Sequence, residues 1–197
     1  MNDALKMNTA EDFSLLSYLA ADLRRARVLL NGSADGVSGL RLWLGVLSPR
    51  FVPVLLCRLA HSLYRLKLGP IAKAVSLLNF FMFGIEIAVR CPIGRGLFLP
   101  HTQGTVIGAW QIGANATIFQ GVTLGAREVD FSYSEQSRPI IGDGVTIGSG
   151  AKVLGGLFIG NGARIGANSV VLQSISAQAL AVGAPARVVQ RRQGEPS

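Results

Sequence analysis

Between Ile93 and Val171 an aliphatic residue recurs at about every sixth position, and a glycine or another small residue usually follows it. A six-residue period matches neither the 3.6-residue period of a helix nor the alternation of a half-buried strand. It is typical of a parallel β-helix, in which each hexad forms one short strand and one corner of a triangular coil. The predicted inward positions are Ile93, Leu99, Ile107, Ile112, Ile118, Leu124, Ile141, Ile147, Val153, Ile159, Ile165 and Val171.

The first part of the chain has a helical pattern instead. Apolar residues at helical spacing predict helices over 13–30, 40–47, 52–67 and 71–83, separated by Gly, Ser and Pro breaks. Asp22 is predicted to lie away from the apolar side of the first helix. The predicted organisation is a helical region over residues 1–83, an all-β β-helix domain over 84–189 and a tail over 190–197.

The ladder of aliphatic positions has two interruptions. Ile107 follows Leu99 by eight positions, and Ile141 follows Leu124 by seventeen. The second interruption corresponds to a hexad plus an excursion over residues 127–139. Long loops on a regular solenoid often bind ligands, although a tolerated insertion without a role is the alternative.

Composition favours a well-packed protein that also buries surface against copies of itself. The 197 residues are 49% hydrophobic and 15% charged. The net charge of +8 is explained by scattered surface Lys and Arg, or by attraction to an anionic cofactor, an acidic glycan or a membrane surface. We expect no nucleic-acid partner, because the basic residues are not interleaved with exposed aromatics in a recognition motif.

The apolar stretch over 71–89 raises the question of a membrane. Lys73, Asn79, Gly84 and Glu86 interrupt it, so a buried or interface-facing helix is predicted rather than a span of about 20 apolar residues. Peripheral attachment around Trp43, together with Arg41 and Arg50, is an alternative. The first twelve residues do not resemble a signal peptide, so we expect a cytoplasmic protein, with the inner face of the membrane as the site of any attachment.

Two cysteines, Cys57 and Cys91, have no metal-ligand spacing and are predicted to be small buried hydrophobic residues. A reducing compartment is therefore the expectation.

His101 is the candidate catalytic residue of the ladder. A lone histidine in a β-rich core is often structural, but Glu86 lies fifteen residues earlier, close to the eighteen residues of one coil. A carboxylate beside one ring nitrogen stabilises the imidazolium that forms when the other nitrogen accepts a proton. No nucleophilic Ser or Cys motif accompanies the pair, so the activated hydroxyl would belong to the substrate.

An ordered set of motifs then resembles a known family. It comprises Gly84-Ile85-Glu86-Ile87, Ile93-Gly94-Arg95-Gly96, Leu99-Pro100-His101, Gly121-Val122-Thr123-Leu124-Gly125, the segment 148–155, Ala181-Val182-Gly183-Ala184-Pro185-Ala186-Arg187 and the helical Arg58-x-x-His61-x-Leu63. Together they resemble the serine O-acetyltransferase family of hexapeptide-repeat acyltransferases, over about residues 35–189.

The resemblance implies a left-handed β-helix homotrimer that holds acetyl-CoA between neighbouring subunits and uses no metal. His101 matches the catalytic base, and Glu86 takes the place of the usual orienting aspartate. A backbone N–H near Gly125 or Ala126 would stabilise the oxyanion. The residues implied to line the path of CoA are Gly125, Ala126, Gly150, Ala151, Lys152, Ala167 and Arg187.

The resemblance is weaker at the acceptor. Pro100 replaces an aspartate that contacts the amino group of serine in the serine-specific enzymes, and Ser137-Arg138 replaces an Arg-His pair. Asp35 matches another substrate-side aspartate, so Asp35 and Arg138 are the implied substrate contacts. We therefore predict a glycan acceptor, a sugar hydroxyl in exopolysaccharide or capsule biosynthesis, as in a similar subgroup. Free serine, the small-molecule acceptor of cysteine biosynthesis, is the alternative.

Other features extend the comparison. The short helical region favours a single trimer, and the tail 193–197 lacks the terminal isoleucine that would dock a sulfhydrylase partner. A non-catalytic hexapeptide scaffold would need no His101–Glu86 pair. A hexapeptide zinc enzyme of the γ-carbonic-anhydrase kind would need three ligand histidines, whereas the chain has only His61 and His101, and His61 is predicted to pack between helices.

Overall fold

The computed structural model describes residues 14–32, 45–48 and 50–189 of the chain, excluding the side chain at position 47. The helical elements are α1 (Leu15–Asn31), a 3₁₀ turn (Gly45–Leu47), α2 (Val52–Arg65) and α3 (Gly69–Phe83). Helix α3 begins two residues earlier than predicted, because Pro70 fits its first turn, where a missing N–H has no helical acceptor to lose. Of the predicted helix 40–47 only the 3₁₀ turn is seen, since 40–44 lies outside the described residues. No described helix has the length and apolarity to cross a membrane.

The β region is a left-handed parallel β-helix with three sheets as its faces. The strands are β1 (Ile85–Ile87), β2 (Thr105–Ile107), β3 (Gln111–Ile112), β4 (Thr117–Ile118), β5 (Thr123–Gly125), β6 (Ile140–Ile141), β7 (Thr146–Ile147), β8 (Lys152–Leu154), β9 (Phe158–Ile159), β10 (Arg164–Ile165), β11 (Val170–Val171), β12 (Leu180–Gly183) and β13 (Ala186–Val189). The first sheet has the order β1-β2-β5-β8-β11, the second β13-β12-β10-β7-β4 and the third β3-β6-β9. Among the described strands only the last hairpin, β12 with β13, is antiparallel.

The predicted ladder forms the core of this coil. Every one of the predicted inward residues from Ile93 to Val171 is at most 5% exposed. On the first sheet, for example, Ile107, Leu124 and Val153 stack in register. The six-residue prediction is confirmed, because each rung packs on its copies above and below rather than on a second layer.

One corner of the coil explains the first interruption of the ladder. Gly104, Gly121, Gly150 and Asn168 form a column in which each has a positive φ, between 55° and 72°. Three of these residues come three positions after an inward aliphatic, whereas Gly104 comes five positions after Leu99. The lowest corner is therefore two residues longer, and His101 lies in this extension. We call this column, together with His101, the His101 corner.

The helices are fixed to the coil by a buried ion pair. Arg58 of α2 donates from Nε to Asp22 of α1 at 2.8 Å, and the two side chains are 2% and 0% exposed. Asp22 also accepts from the Leu97 N–H at 2.8 Å, while Arg58 donates to the carbonyls of Ile93 and Gly94. The prediction that Asp22 faces away from the packed side of α1 is wrong, because a partner from another helix neutralises its carboxylate.

Candidate functional site

His101 is exposed at its lengthened corner. The residues that follow it are tied to the end of α3. The Thr102 hydroxyl donates to the Phe83 carbonyl at 2.8 Å, and the Gly104 N–H donates to the Gly84 carbonyl at 2.9 Å. The corner therefore displays the imidazole on a fixed backbone.

Glu86 lies on the neighbouring level of the coil, at the centre of β1, with its side chain exposed. It pairs in register with Val106, five residues beyond His101. It also lines a groove of about 390 Å³ beside α3, together with Lys73, Ser76 and Phe80. The structure thus brings the two residues to adjacent levels, but within its described part no hydrogen bond joins them.

Several predicted CoA residues lie in or beside the His101 corner. Gly150 donates its N–H to the Gln120 carbonyl, and the next residue in the column, Asn168, follows the exposed Ala167. Lys152 points outward from β8, and its ammonium donates to the Gly121 carbonyl. The column of glycines and Asn168, with Ala167 and one cation beside it, runs up the coil from His101.

Gly125 and Ala126 lie at the opposite edge of the same face, where β5 ends. A Cβ built on Gly125 would meet no atom within 4 Å, so the space outside it is open. Five residue steps, which include β5, separate Gly121 of the His101 corner from Ala126, so at about 3.3 Å per residue the two edges are at most roughly 16 Å apart. Within one chain His101 and Ala126 therefore lie at opposite edges of the same face.

The remaining predicted site residues are dispersed. Ala151 is fully buried inside the coil. Its N–H donates to the Gly148 carbonyl and its carbonyl accepts from the Thr123 N–H, which corrects its assignment as a groove residue. Arg187 is exposed on the final hairpin, opposite Val182. Asp35 lies outside the described residues.

The excursion over 127–139 is organised around Asp130. Its carboxylate accepts from the Ser132 hydroxyl at 2.7 Å, the Ser134 N–H at 2.9 Å and the Arg138 Nε at 2.8 Å. These hydrogen bonds, led by that of Ser132, lower the pKa of Asp130 to about 2. The carboxylate is therefore ionised at neutral pH and holds both ends of the loop.

Arg138 belongs to the same hydrogen-bond network as Asp130. Besides Asp130, it donates from Nη1 to the Gly108 carbonyl at 2.8 Å, and its guanidinium lies 4.1 Å from the centre of the Tyr133 ring. The Tyr133 hydroxyl donates to the Ala109 carbonyl at 2.6 Å, and burial raises the pKa of this phenol. The prediction that Arg138 contacts the substrate is corrected, because its N–H groups donate to Asp130 and to the Gly108 carbonyl instead.

Sequence reasoning missed Arg127, which opens the excursion. Its guanidinium donates to the Leu154 and Leu172 carbonyls, so it crosses two levels of the coil. Together with Glu128, Gln136 and Gln173 it lines a polar cavity of about 600 Å³ between the loop and the coil. Its position directly after Gly125-Ala126 was the only available signal, and position alone does not predict this contact.

The other histidine and the cysteines lie under the helices. His61 donates from Nδ1 to the Val89 carbonyl at 3.0 Å, and burial lowers its pKa, in line with a packing role. Burial raises the pKa of the Cys57 thiol to about 11 and also raises that of Cys91. Within the described ranges no group of three or more His, Cys, Asp or Glu side chains could hold a metal ion.

Comparison with known proteins agrees with this architecture. Residues 138–173 match the family model described as bacterial transferase hexapeptide (six repeats). A serine acetyltransferase of Helicobacter pylori strain J99 is 44% identical over 142 residues, which are 71% of this chain and 81% of the relative. The chain belongs to the serine acetyltransferase-like family of hexapeptide transferases.

Solved structures of this family resemble the whole described architecture. A serine acetyltransferase in complex with CoA superposes with a TM-score of 0.75 at 30% identity, covering 89% of this chain and 70% of the other. A soybean serine acetyltransferase complexed with serine gives 0.76 at 36% identity, with the same coverage of each chain. This acyltransferase is therefore an acetyl-CoA-dependent enzyme, and acetyl-CoA is its co-substrate.

Proposed function

We propose that this acyltransferase moves the acetyl group of acetyl-CoA to a substrate hydroxyl, with His101 as general base and L-serine as the first acceptor to test. The observation that carries the proposal is the display of His101 at a corner two residues longer than the corners stacked above it.

The proposed reaction is a direct transfer. His101 accepts the proton of the acceptor hydroxyl as the oxygen attacks the thioester carbon. The Ala126 or Gly125 N–H would stabilise the negative charge on the carbonyl oxygen. Collapse of the tetrahedral intermediate breaks the C–S bond, and the imidazolium returns the proton to the CoA thiolate. Glu86, on the adjacent level, would orient and stabilise the imidazolium.

The residues present fit a bound CoA chain. Gly125 opens to free space, and neither Ala126 nor Ala167 bears a side chain longer than a methyl group, so a thin pantetheine arm could lie against the coil. Lys152 and Arg187 would supply positive charge to its phosphates. At Gly150, where φ is 72°, a Cβ would collide with the Asn168 side chain, so glycine leaves this corner free of a side chain.

The same geometry supports a homotrimer. Because the His101 corner and the Gly125–Ala126 edge lie at opposite edges of one face within a chain, a neighbouring copy would have to place its edge beside His101 to complete the site. Sedimentation equilibrium tests this directly. Three times the chain mass is expected, and a monomer that remains fully active would overturn the shared site.

The acceptor separates two candidates. The relatives described above are named serine acetyltransferases, so they favour serine, which the sequence alone ranks second. A sugar hydroxyl remains the second candidate on two specific observations. Pro100 offers no charge next to His101, and the donors of Arg138 are bound to Asp130 and Gly108.

A thiol-release assay distinguishes the acceptors. CoA formation is followed with L-serine, with simple sugars and with nucleotide sugars, and the acetylated product is identified by mass spectrometry. O-acetylserine as the main product supports the first candidate, and acetylated sugar with no O-acetylserine supports the second. Release of CoA at the same rate with and without every acceptor would overturn both.

A further inference from the structure

Helix α3 has an unusual distribution of side chains. Its large apolar residues face outward, where they are between 47% and 74% exposed. We call this surface the outer face of α3; it comprises Ile71, Leu77, Leu78, Phe80, Phe81 and Met82. Soluble chains rarely leave so many large apolar side chains of one helix exposed without a partner.

The inward side of α3 is small and polar by contrast. Ala72 is fully buried, the Ser76 hydroxyl donates to the Ile87 carbonyl at 3.1 Å, and the Asn79 amide donates to the Pro53 carbonyl at 3.0 Å. The helix is thus held to the protein by small residues and hydrogen bonds. Its main apolar surface does not contribute to the core, so nothing in the described part of the chain buries it.

Charge around this face is mainly positive, although the exposed Glu86 lines the groove beside α3 with Lys73 and Phe80. Residues 36–85 contain six Lys and Arg and no Asp or Glu. Arg58 is neutralised by Asp22, whereas Lys67, just before α3, and Lys73, within it, have exposed side chains. An apolar helical face with flanking cations is the chemistry that binds an anionic lipid surface, where the side chains enter the acyl boundary and the cations meet phosphate groups.

We propose that the outer face of α3 docks onto an anionic lipid bilayer, with the helix lying in the interface. Another copy of the chain is the alternative occupant, and an anionic surface is preferred because it complements the exposed Lys67 and Lys73. The attachment surface differs from the one expected from sequence around Trp43 and Arg41, which lie outside the described residues. The inference does not depend on the proposed acceptor or on the catalytic role of His101.

Vesicle flotation tests the proposal. The full chain is mixed with vesicles of phosphatidylcholine alone or of phosphatidylcholine with phosphatidylglycerol. We expect flotation with the anionic vesicles only, and weaker flotation as the salt concentration rises. The double variant Leu78→Ser/Phe81→Ser should lower the partition coefficient by about tenfold or more, because two large apolar side chains no longer enter the bilayer.

Matched variants separate docking onto lipid from contact with another copy of the chain. Leu16→Ser removes a comparably exposed leucine from α1 and should leave flotation unchanged. Lys67→Gln/Lys73→Gln should weaken flotation with anionic vesicles several-fold. Circular dichroism and sedimentation are measured on every variant. Absence of flotation with anionic vesicles, or a fall in oligomer mass in Leu78→Ser/Phe81→Ser with unchanged flotation, would overturn the proposal, and the second result would assign the face to another copy.

Discussion

Arg138 and Asp130 form an ion pair at 2.8 Å that closes the excursion of the β-helix upon itself. The same guanidinium reaches the Gly108 carbonyl, so the pair joins the loop to the turn at the end of β2. A basic side chain at this position could have met an acidic substrate. Here it fixes the wall of the polar cavity instead, and the shape of that wall depends on it.

Loss of Arg138 should loosen the excursion before it affects the coil. In Arg138→Ala, Asp130 and the Gly108 carbonyl lose their shared partner, and protease cleavage within 127–139 should become several-fold faster. Limited proteolysis with mass spectrometry measures this. Glu135→Ala, an exposed change in the same loop, is the control. Equal cleavage rates in the two variants would contradict the bracing role.

The loop should respond to acid in a defined range. The folded pKa of Asp130 is lowered from 3.8 to about 2, so its stabilisation is complete above the ordinary pKa and is lost as the pH falls from about 4 to about 2. Trp110 lies 5.9 Å from the Tyr133 ring, so its fluorescence in a Trp43→Phe background should report the change. Asp130→Asn should abolish that transition. A transition of equal size in Asp130→Asn would assign it to another group.

The sequence predicted the β-helix well because the same short-range stacking of aliphatic side chains is repeated along the chain. Each rung, such as Ile147 or Ile159, needs only an aliphatic side chain at a fixed interval, and stacking then buries it. The surplus of two residues before Gly104 and the long excursion were visible as broken intervals. Asp22 was misplaced because its partner, Arg58, lies 36 residues away on another helix.

The residue types of the candidate site were predictable from the sequence, but most of their contacts were not. Residue types pointed to His101 and Glu86, and the register places them on adjacent levels. Ala151 lies on a second six-residue ladder of buried residues, with Val145, Leu157 and Ala163, so its inward position was readable from the sequence. That Arg138 pairs with Asp130 was not, because it depends on how the excursion folds. That the His101 corner and Ala126 lie at opposite edges of one face follows from the bounds of β5 in the structure.

The buried pair of Arg58 and Asp22 should be sensitive to removal of one partner. Arg58→Met leaves an isolated carboxylate in the core, and we expect a loss of about 3–5 kcal/mol in the free energy of unfolding. Asp22→Leu/Arg58→Met should lose less than Arg58→Met alone, since no charge is stranded. Urea unfolding measures both, with Arg24→Met on the exposed side of α1 as control. A double variant less stable than the single one would contradict this account.

Both thiols should be unreactive in the folded protein. Cys57 and Cys91 are buried, and burial raises the pKa of each thiol, so little thiolate forms at neutral pH. Ellman's reagent should titrate two thiols per chain in guanidinium and almost none without it within the same period. Rapid reaction of either cysteine in the native state would show that the helices open from the coil.

The contribution of His101 to acetyl transfer is the most direct test of the proposed mechanism. CoA thiol release is measured with saturating acetyl-CoA and the acceptor identified by the product assay, for the unaltered chain and for His101→Ala, with CoA binding measured separately by calorimetry. Loss of a general base should lower kcat by about a hundredfold or more and leave CoA binding intact. Turnover by His101→Ala equal to that of the unaltered chain would contradict the account.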